Sequence, residues 1–225
     1  VGYSSESVAQ HVFAMILALT NRVESHAVDV EKGNWERSID WSYQLNSIVG
    51  LANKTMGIYG FGKIGKKTAQ IALAFGMKVI SLHKHPERDK TLGIEFVSEE
   101  RLFRESDILS LHAPLTESNQ HFINEKSLKL MKKTAILINT GRGGLINENH
   151  LKNALEEGEI AGAGLDVLSE EPPKDGNILI GAKNCLITPH QAWRTKESRA
   201  KLISETALNV KAFMEGNPRN VVNDE

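Results

Sequence analysis

A chain of 225 residues with 40% hydrophobic residues is long enough to bury a core of its own and is most simply one domain with attached pieces. Its 27 basic and 28 acidic residues leave a formal net charge of -1, which excludes a bulk field for nucleic acid or an anionic membrane, so any basic function has to be local. The one cysteine, Cys185, cannot close an internal disulfide, no signal-like stretch opens the chain, and the most apolar helical run, 12–19, is short of the ~20 residues that span a bilayer, so a cytoplasmic protein without a membrane role is expected.

Val8, Val12, Met15, Ile16 and Leu19 recur at helical spacing and predict a helix over 6–22, opened by Ser4 or Ser5 as caps. Over 33–51, Trp35, Trp41 and Tyr43 stand irregularly among polar residues and read as a loop. From Thr55 onward short apolar runs alternate with amphipathic ones. They predict strands at 55–59, 78–82, 108–111, 135–138, 162–167 and 185–188, and helices at 64–75, 98–104, 125–131, 148–157 and 196–215. Continuously apolar strands alternating with helices form a parallel sheet covered on both faces, and right-handed crossovers make it a doubly wound Rossmann α/β fold. Ligands of such sheets bind beyond the carboxyl ends of the strands.

The first of those ends is Gly60-Phe61-Gly62-Lys63-Ile64-Gly65. In a dinucleotide site these glycines serve, in order, a tight turn, backbone approach to the pyrophosphate, and close packing of helix on strand. The helix that starts there turns its N-terminus to the anion. After the second strand, where an acidic residue commonly holds the ribose 2′-hydroxyl, stands His83, followed by Lys84, His85 and Arg88. Two readings stay open: cations that accept a 2′-phosphate, or a solvated loop. No carboxylate or cysteine is patterned with the histidines, so no metal is expected.

His112-Ala113-Pro114 follows the third strand, and Asn139-Thr140-Gly141-Arg142-Gly143-Gly144 the fourth. The glycines let Arg142 approach a carboxylate or carbonyl oxygen, which a guanidinium matches with paired donors. Asp166 and then Glu170-Glu171-Pro172 follow the fifth strand, and Thr188-Pro189-His190-Gln191-Ala192-Trp193 the sixth. His190 with Glu171 suits proton delivery, because a carboxylate orients the ring and favours its charged form. The plainer alternative is a structural histidine and solvated glutamates. Trp193 either narrows a pocket for a small substrate or packs on a neighbouring element.

Taken in this order, the motifs resemble the D-isomer-specific 2-hydroxyacid dehydrogenase family over about 1–222. The Thr188–Trp193 segment and the ending Gly216-Asn217-Pro218-Arg219-Asn220-Val221-Val222 are most similar to its glycerate dehydrogenases, also called hydroxypyruvate reductases. The resemblance implies hydride transfer between NAD(P)H and a small 2-oxo acid, hydroxypyruvate or glyoxylate, giving D-glycerate or glycolate. It implies that Arg142 holds and polarises the substrate, that His190 delivers the proton and that Glu171 hydrogen-bonds His190. For the cofactor it implies Gly60, Gly62, Lys63, Ile64 and Gly65 at the pyrophosphate, and His83 and Lys84 at the adenosine end. Thr140 lies in the loop lining the nicotinamide, and Asp166 matches the residue on its carboxamide. The cofactor is NAD or NADP, with His83, Lys84 and Arg88 leaning to NADP. The family's N-terminal flavodoxin-like substrate domain is expected to lie outside this chain. Residues 1–200 are then the dinucleotide-binding domain, whose first helix brings His11, Phe13 and Met15 to a homodimer contact. Residues 201–225 are a helix and tail returning to the substrate domain. Two other readings are a dinucleotide-sensing corepressor of the same fold and an inactive cofactor-binding fragment.

Overall fold

The computed structural model describes residues 2–89 and 94–222. Val1 and the last three residues of the expected tail, 223–225, lie outside the described residues.

Seven parallel strands form one sheet in the order β3-β2-β1-β4-β5-β6-β7: β1 (Thr55–Tyr59), β2 (Lys78–Leu82), β3 (Ile94–Phe96), β4 (Ile108–Leu111), β5 (Ile136–Asn139), β6 (Gly162–Leu165) and β7 (Cys185–Ile187). The chain builds outward from β1 to β3, then returns across the sheet and builds the other way from β4, so the topological switch lies between β1 and β4. Register aligns the carboxyl ends: Tyr59 pairs with Leu82 and Leu111, Leu111 with Asn139, Asn139 with Leu165, and Leu165 with Ile187. The loops that follow these residues therefore share one edge of the sheet.

Alternate strand residues feed two cores, which is why the strands are apolar throughout. Ile136 and Ile138 of β5 join Met56, Ile58 and Ile108 under α1 (Ser5–Asn21) and α3 (Lys63–Ala74). Leu137 faces the opposite way, with Leu109, Leu111 and Leu165, toward α4 (Glu99–Glu105), α5 (Glu125–Leu130) and α6 (Glu148–Glu157). Each fully buried Leu or Ile contributes about 1.5–3 kcal/mol. Side-chain caps from Ser98, Asn124 and Asn147 fix where α4, α5 and α6 begin, and Gly158 in the left-handed region ends α6.

Helix α1 is part of this core. A Cβ on Gly164 of β6 would lie 3.1 Å from Met15, so the bare glycine is what lets the helix sit on the sheet. Phe13 is buried and stacks on Phe75 with centroids 5.2 Å apart, and Met15 is buried as well. Together with His11, which bonds to Thr188, the residues expected at a dimer contact are thus engaged within their own subunit.

Two elements were not read from the sequence. β3 has only three residues, too few to show a period. α2 (Val23–Glu31) buries none of its residues, so its pattern carries no apolar face. The last helix, α7 (Lys196–Met214), contains the expected 200/201 division and buries only Ser198, leaving Ile203, Leu208, Val210, Phe213 and Met214 exposed. No helix among the described residues is long and apolar enough to cross a membrane.

Candidate active site

Gly60 has φ 91°, and a Cβ there would fall 2.6 Å from the backbone nitrogen of Ala113, so only glycine lets the β1 and β4 ends meet this closely. At Gly65 a Cβ would come 2.3 Å from the Gly60 carbonyl oxygen and 3.2 Å from Ile58, the predicted packing of helix on strand. Nothing lies within 4 Å of a Cβ at Gly62, which leaves open space at the N-cap of α3. The first helical hydrogen bond there runs from Lys66 N to Gly62 O, so the amides of Lys63, Ile64 and Gly65 precede the ladder and suit an anion such as a pyrophosphate.

On the β2 side the basic residues stand beside an acidic one. His83 Nε2 lies 2.9 Å from Asp89 Oδ2, and Lys66 Nζ donates to Asp89 Oδ1. The hydrogen bond from Lys66, with that from His83, holds the Asp89 carboxyl below its ordinary range. A carboxylate does stand at this end of the site, brought in by the turn after Pro86–Arg88 rather than by the strand end. Lys84 and Arg88 are exposed, the latter 3.7 Å from Glu87. Among the described residues no group of His, Cys, Asp and Glu is placed to hold a metal.

The loop after β5 is held from inside. The buried Asn139 side chain accepts from Gly141 N at 3.0 Å and donates to Arg142 O at 2.9 Å, while the Arg142 side chain is exposed and turns a nitrogen back to Gly141 O at 2.7 Å. A Cβ at Gly143 would collide with the Leu168 carbonyl oxygen at 1.9 Å, so the arginine loop and the loop after β6 are in backbone contact. Thr140 is buried, and its Oγ1 has no hydrogen-bond partner among the described residues. A buried orphan hydroxyl costs about 1–3 kcal/mol, and a ligand group that pairs with it recovers that cost. This orphan and the open N-cap at Gly62 are the features that fit a bound dinucleotide.

Beyond β6, Asp166 is 1% exposed and accepts from Thr188 Oγ1 at 2.5 Å, Gln191 N at 2.9 Å and Ala192 N at 2.8 Å. Since the Thr188 proton goes to Asp166, His11 Nε2 is the donor in its 3.0 Å bond to Thr188 Oγ1, and it also lies 3.6 Å from Asp166 Oδ1. The carboxylate thereby fixes the 188–192 turn, within which His190 has φ 48° and donates its backbone N–H to Asp166 O at 2.9 Å. A non-glycine residue held in the left-handed region costs about 1–3 kcal/mol, which this network offsets. The His190 ring then reaches Glu171, with Nδ1 to Oε2 at 2.5 Å, while Glu171 Oε1 accepts from Leu168 N at 2.9 Å. His190 Nε2 has no partner among the described residues. A cavity of about 560 Å³ opens against this pair, lined by Leu168, Pro173, Ile180 and Ile187 besides Glu171 and His190.

Other residues carry the site without having been marked for it in the sequence. Glu148 accepts from both Ser169 N and Ser169 Oγ at 2.8 Å and so anchors the loop that carries Glu171. His11 ties α1 to the turn at Thr188. Both contacts join residues far apart in the chain, and no local pattern announces them. Trp193 packs edge-on against Tyr3, with centroids 6.4 Å apart, and Arg194 lies 5.8 Å from its ring. Burial pushes the thiol of the half-buried Cys185 up to about 11, which keeps it protonated and unreactive near neutral pH.

Residues 13–192 match the family model described as D-isomer specific 2-hydroxyacid dehydrogenase, NAD binding domain. The chain is 40% identical to a hydroxypyruvate reductase of Blautia hydrogenotrophica over 98% of its own length and 69% of the relative's. It is 45% identical to a glyoxylate reductase of Aeropyrum pernix over 100% of its length and 68% of that protein's. A solved acyclic imino acid reductase in complex with NADPH and D-Arg superposes with a TM-score of 0.85 at 37% identity, covering 98% of this chain and 68% of that one. With its seven-stranded parallel sheet and its glycine, arginine, glutamate and histidine loops along one edge, the chain belongs to the D-isomer specific 2-hydroxyacid dehydrogenases, NAD(P)-dependent oxidoreductases, and corresponds to their cofactor domain.

Proposed function

We propose that this protein reduces a small 2-oxo acid, hydroxypyruvate or glyoxylate, to D-glycerate or glycolate, with Arg142, His190 and Glu171 as its reactive set. The observation that carries the reading is the His190–Glu171 pair at 2.5 Å with Nε2 left open. Because Nδ1–H is committed to the carboxylate, Nε2 carries a proton only when the ring is charged. The proton then passes from Nε2 to the substrate's carbonyl oxygen. Arg142 stands on a loop packed against the one bearing Glu171, and its guanidinium pairs with the substrate carboxylate and the oxygen that becomes an alkoxide. NAD(P)H, when bound, supplies the hydride. Lys63, Ile64 and the glycines receive its pyrophosphate, Thr140 and Asp166 its nicotinamide end, and His83 and Lys84 border its adenosine end.

The reductase relatives support an enzyme over a corepressor. The expected homodimer and cytoplasmic setting remain part of this reading. The exposed arm that follows α1, with Trp41 89% exposed, supports the dimer more than His11, Phe13 or Met15 do. In the full-length protein, His190→Ala should cut turnover of hydroxypyruvate with NADH or NADPH by about 10²–10⁴-fold while cofactor binding survives. Turnover within a factor of two of wild type would refute the assignment.

A further inference from the structure

The adenosine end of the crevice contains an internal counter-ion. Lys66, in the first turns of α3, and His83, directly after β2, are both bonded to Asp89. Phe61 of the glycine loop lies against this group, its ring 6.1 Å from that of His83 and 6.0 Å from Lys66 Nζ. Asp89 therefore bridges the start of α3 and the end of β2, and in a dinucleotide fold the adenosine ribose sits between those two points. Its side chain is 19% exposed.

We propose that Asp89 is the residue that decides between NAD and NADP, selecting against the 2′-phosphate. A phosphate there would meet a carboxylate at close range, and it would find Lys66 and His83 already bonded to it. It has to displace Asp89 from both donors before gaining charge-assisted bonds of its own. A 2′-hydroxyl faces no such competition and can donate to the carboxylate. Of the basic residues that in the sequence favour NADP, His83 is thus turned, in the folded chain, into part of the support of an acidic group, with Lys66 beside it. The residue responsible stands six positions beyond the one at which an acidic group is usually sought.

This inference rests on the dinucleotide reading, and one experiment separates the two. NADH and NADPH are titrated calorimetrically into the full-length protein, Asp89→Asn, Asp89→Ser, and Asp89→Asn combined with Lys66→Gln. Wild type should bind NADH about tenfold more tightly than NADPH. Either single substitution should tighten NADPH binding about tenfold while NADH changes by less than about threefold, and the added Lys66→Gln should remove the gain. An NADPH-to-NADH affinity ratio unchanged in both single variants, or a wild type that already prefers NADPH, would overturn the proposal. If neither cofactor binds wild type or any variant, the dinucleotide reading fails and takes the inference with it.

Discussion

The two ends of the crevice are held in different ways. At the β6–β7 end a buried carboxylate, Asp166, is tied to backbone amides of Gln191 and Ala192, and Glu171 to that of Leu168. At the β2 end Asp89 is tied to the side chains of Lys66 and His83, on a partly exposed turn. Amide anchors set geometry because the backbone cannot swing away, whereas long side chains exchange partners at small cost. A general acid must keep one position relative to its substrate. A specificity element only has to present charge, so the looser end is the one open to change.

The sharpest way to break this contrast is Asp166→Ala. It leaves two turn amides and the Thr188 hydroxyl without their acceptor and removes the anion beside His11. We expect a loss of about 3–5 kcal/mol in urea unfolding together with a steep fall in turnover, since the turn bearing His190 loses its support. A stability change below about 1 kcal/mol would mean that the turn is held by something else.

Between the two ends lies His112, whose ring follows β4 and bonds the buried Ser110 hydroxyl at 2.9 Å. Burial lowers its pKa from 6.5 to about 4. The unfolded ring therefore takes up a proton that the folded one refuses, so stability fully present above pH 6.5 declines as pH falls toward 4. The decline attributable to this ring is up to about 3 kcal/mol. Urea midpoints at pH 7 and pH 4.5 should differ measurably less in His112→Gln than in wild type. An equal difference in both would clear His112 of the effect.

Apart from β3, the strand pattern from Thr55 to Ile187 was legible because the inner strands β1, β4, β5 and β6 are buried on both faces and the helices between them carry an apolar stripe, so pattern and environment coincide. The loops Gly60–Gly65 and Asn139–Gly144 were legible because the glycines themselves make the close approaches, at Ala113 and at Leu168. The Asp89 turn was not legible. Its meaning depends on a contact with α3, 23 residues earlier in the chain, and a charge run gives no sign of which charges will meet. Likewise α1 carried an apolar face that suits a core or an interface equally well. The packing of Met15 on Gly164 and of Phe13 on Phe75 places this part of the face in the core of its own subunit.

The smallest predicted effect concerns a hydroxyl that neither end satisfies. Thr140 Oγ1 is buried without a partner among the described residues, next to the asparagine that ties down the arginine loop. Valine is nearly the same shape and lacks the orphan group, so Thr140→Val should leave the cofactor-free protein as stable or raise it by up to about 1 kcal/mol. If the hydroxyl is kept for the nicotinamide end, the same change should weaken NADH binding by about 3- to 10-fold, because the bond that repaid its burial is gone. Opposite signs in the two measurements would mark Thr140 as a residue whose cost in the free protein is recovered on binding. A loss of stability in the free protein with unchanged NADH affinity would instead make it a packing residue. The nicotinamide end would then be held entirely by groups that are satisfied before the cofactor arrives.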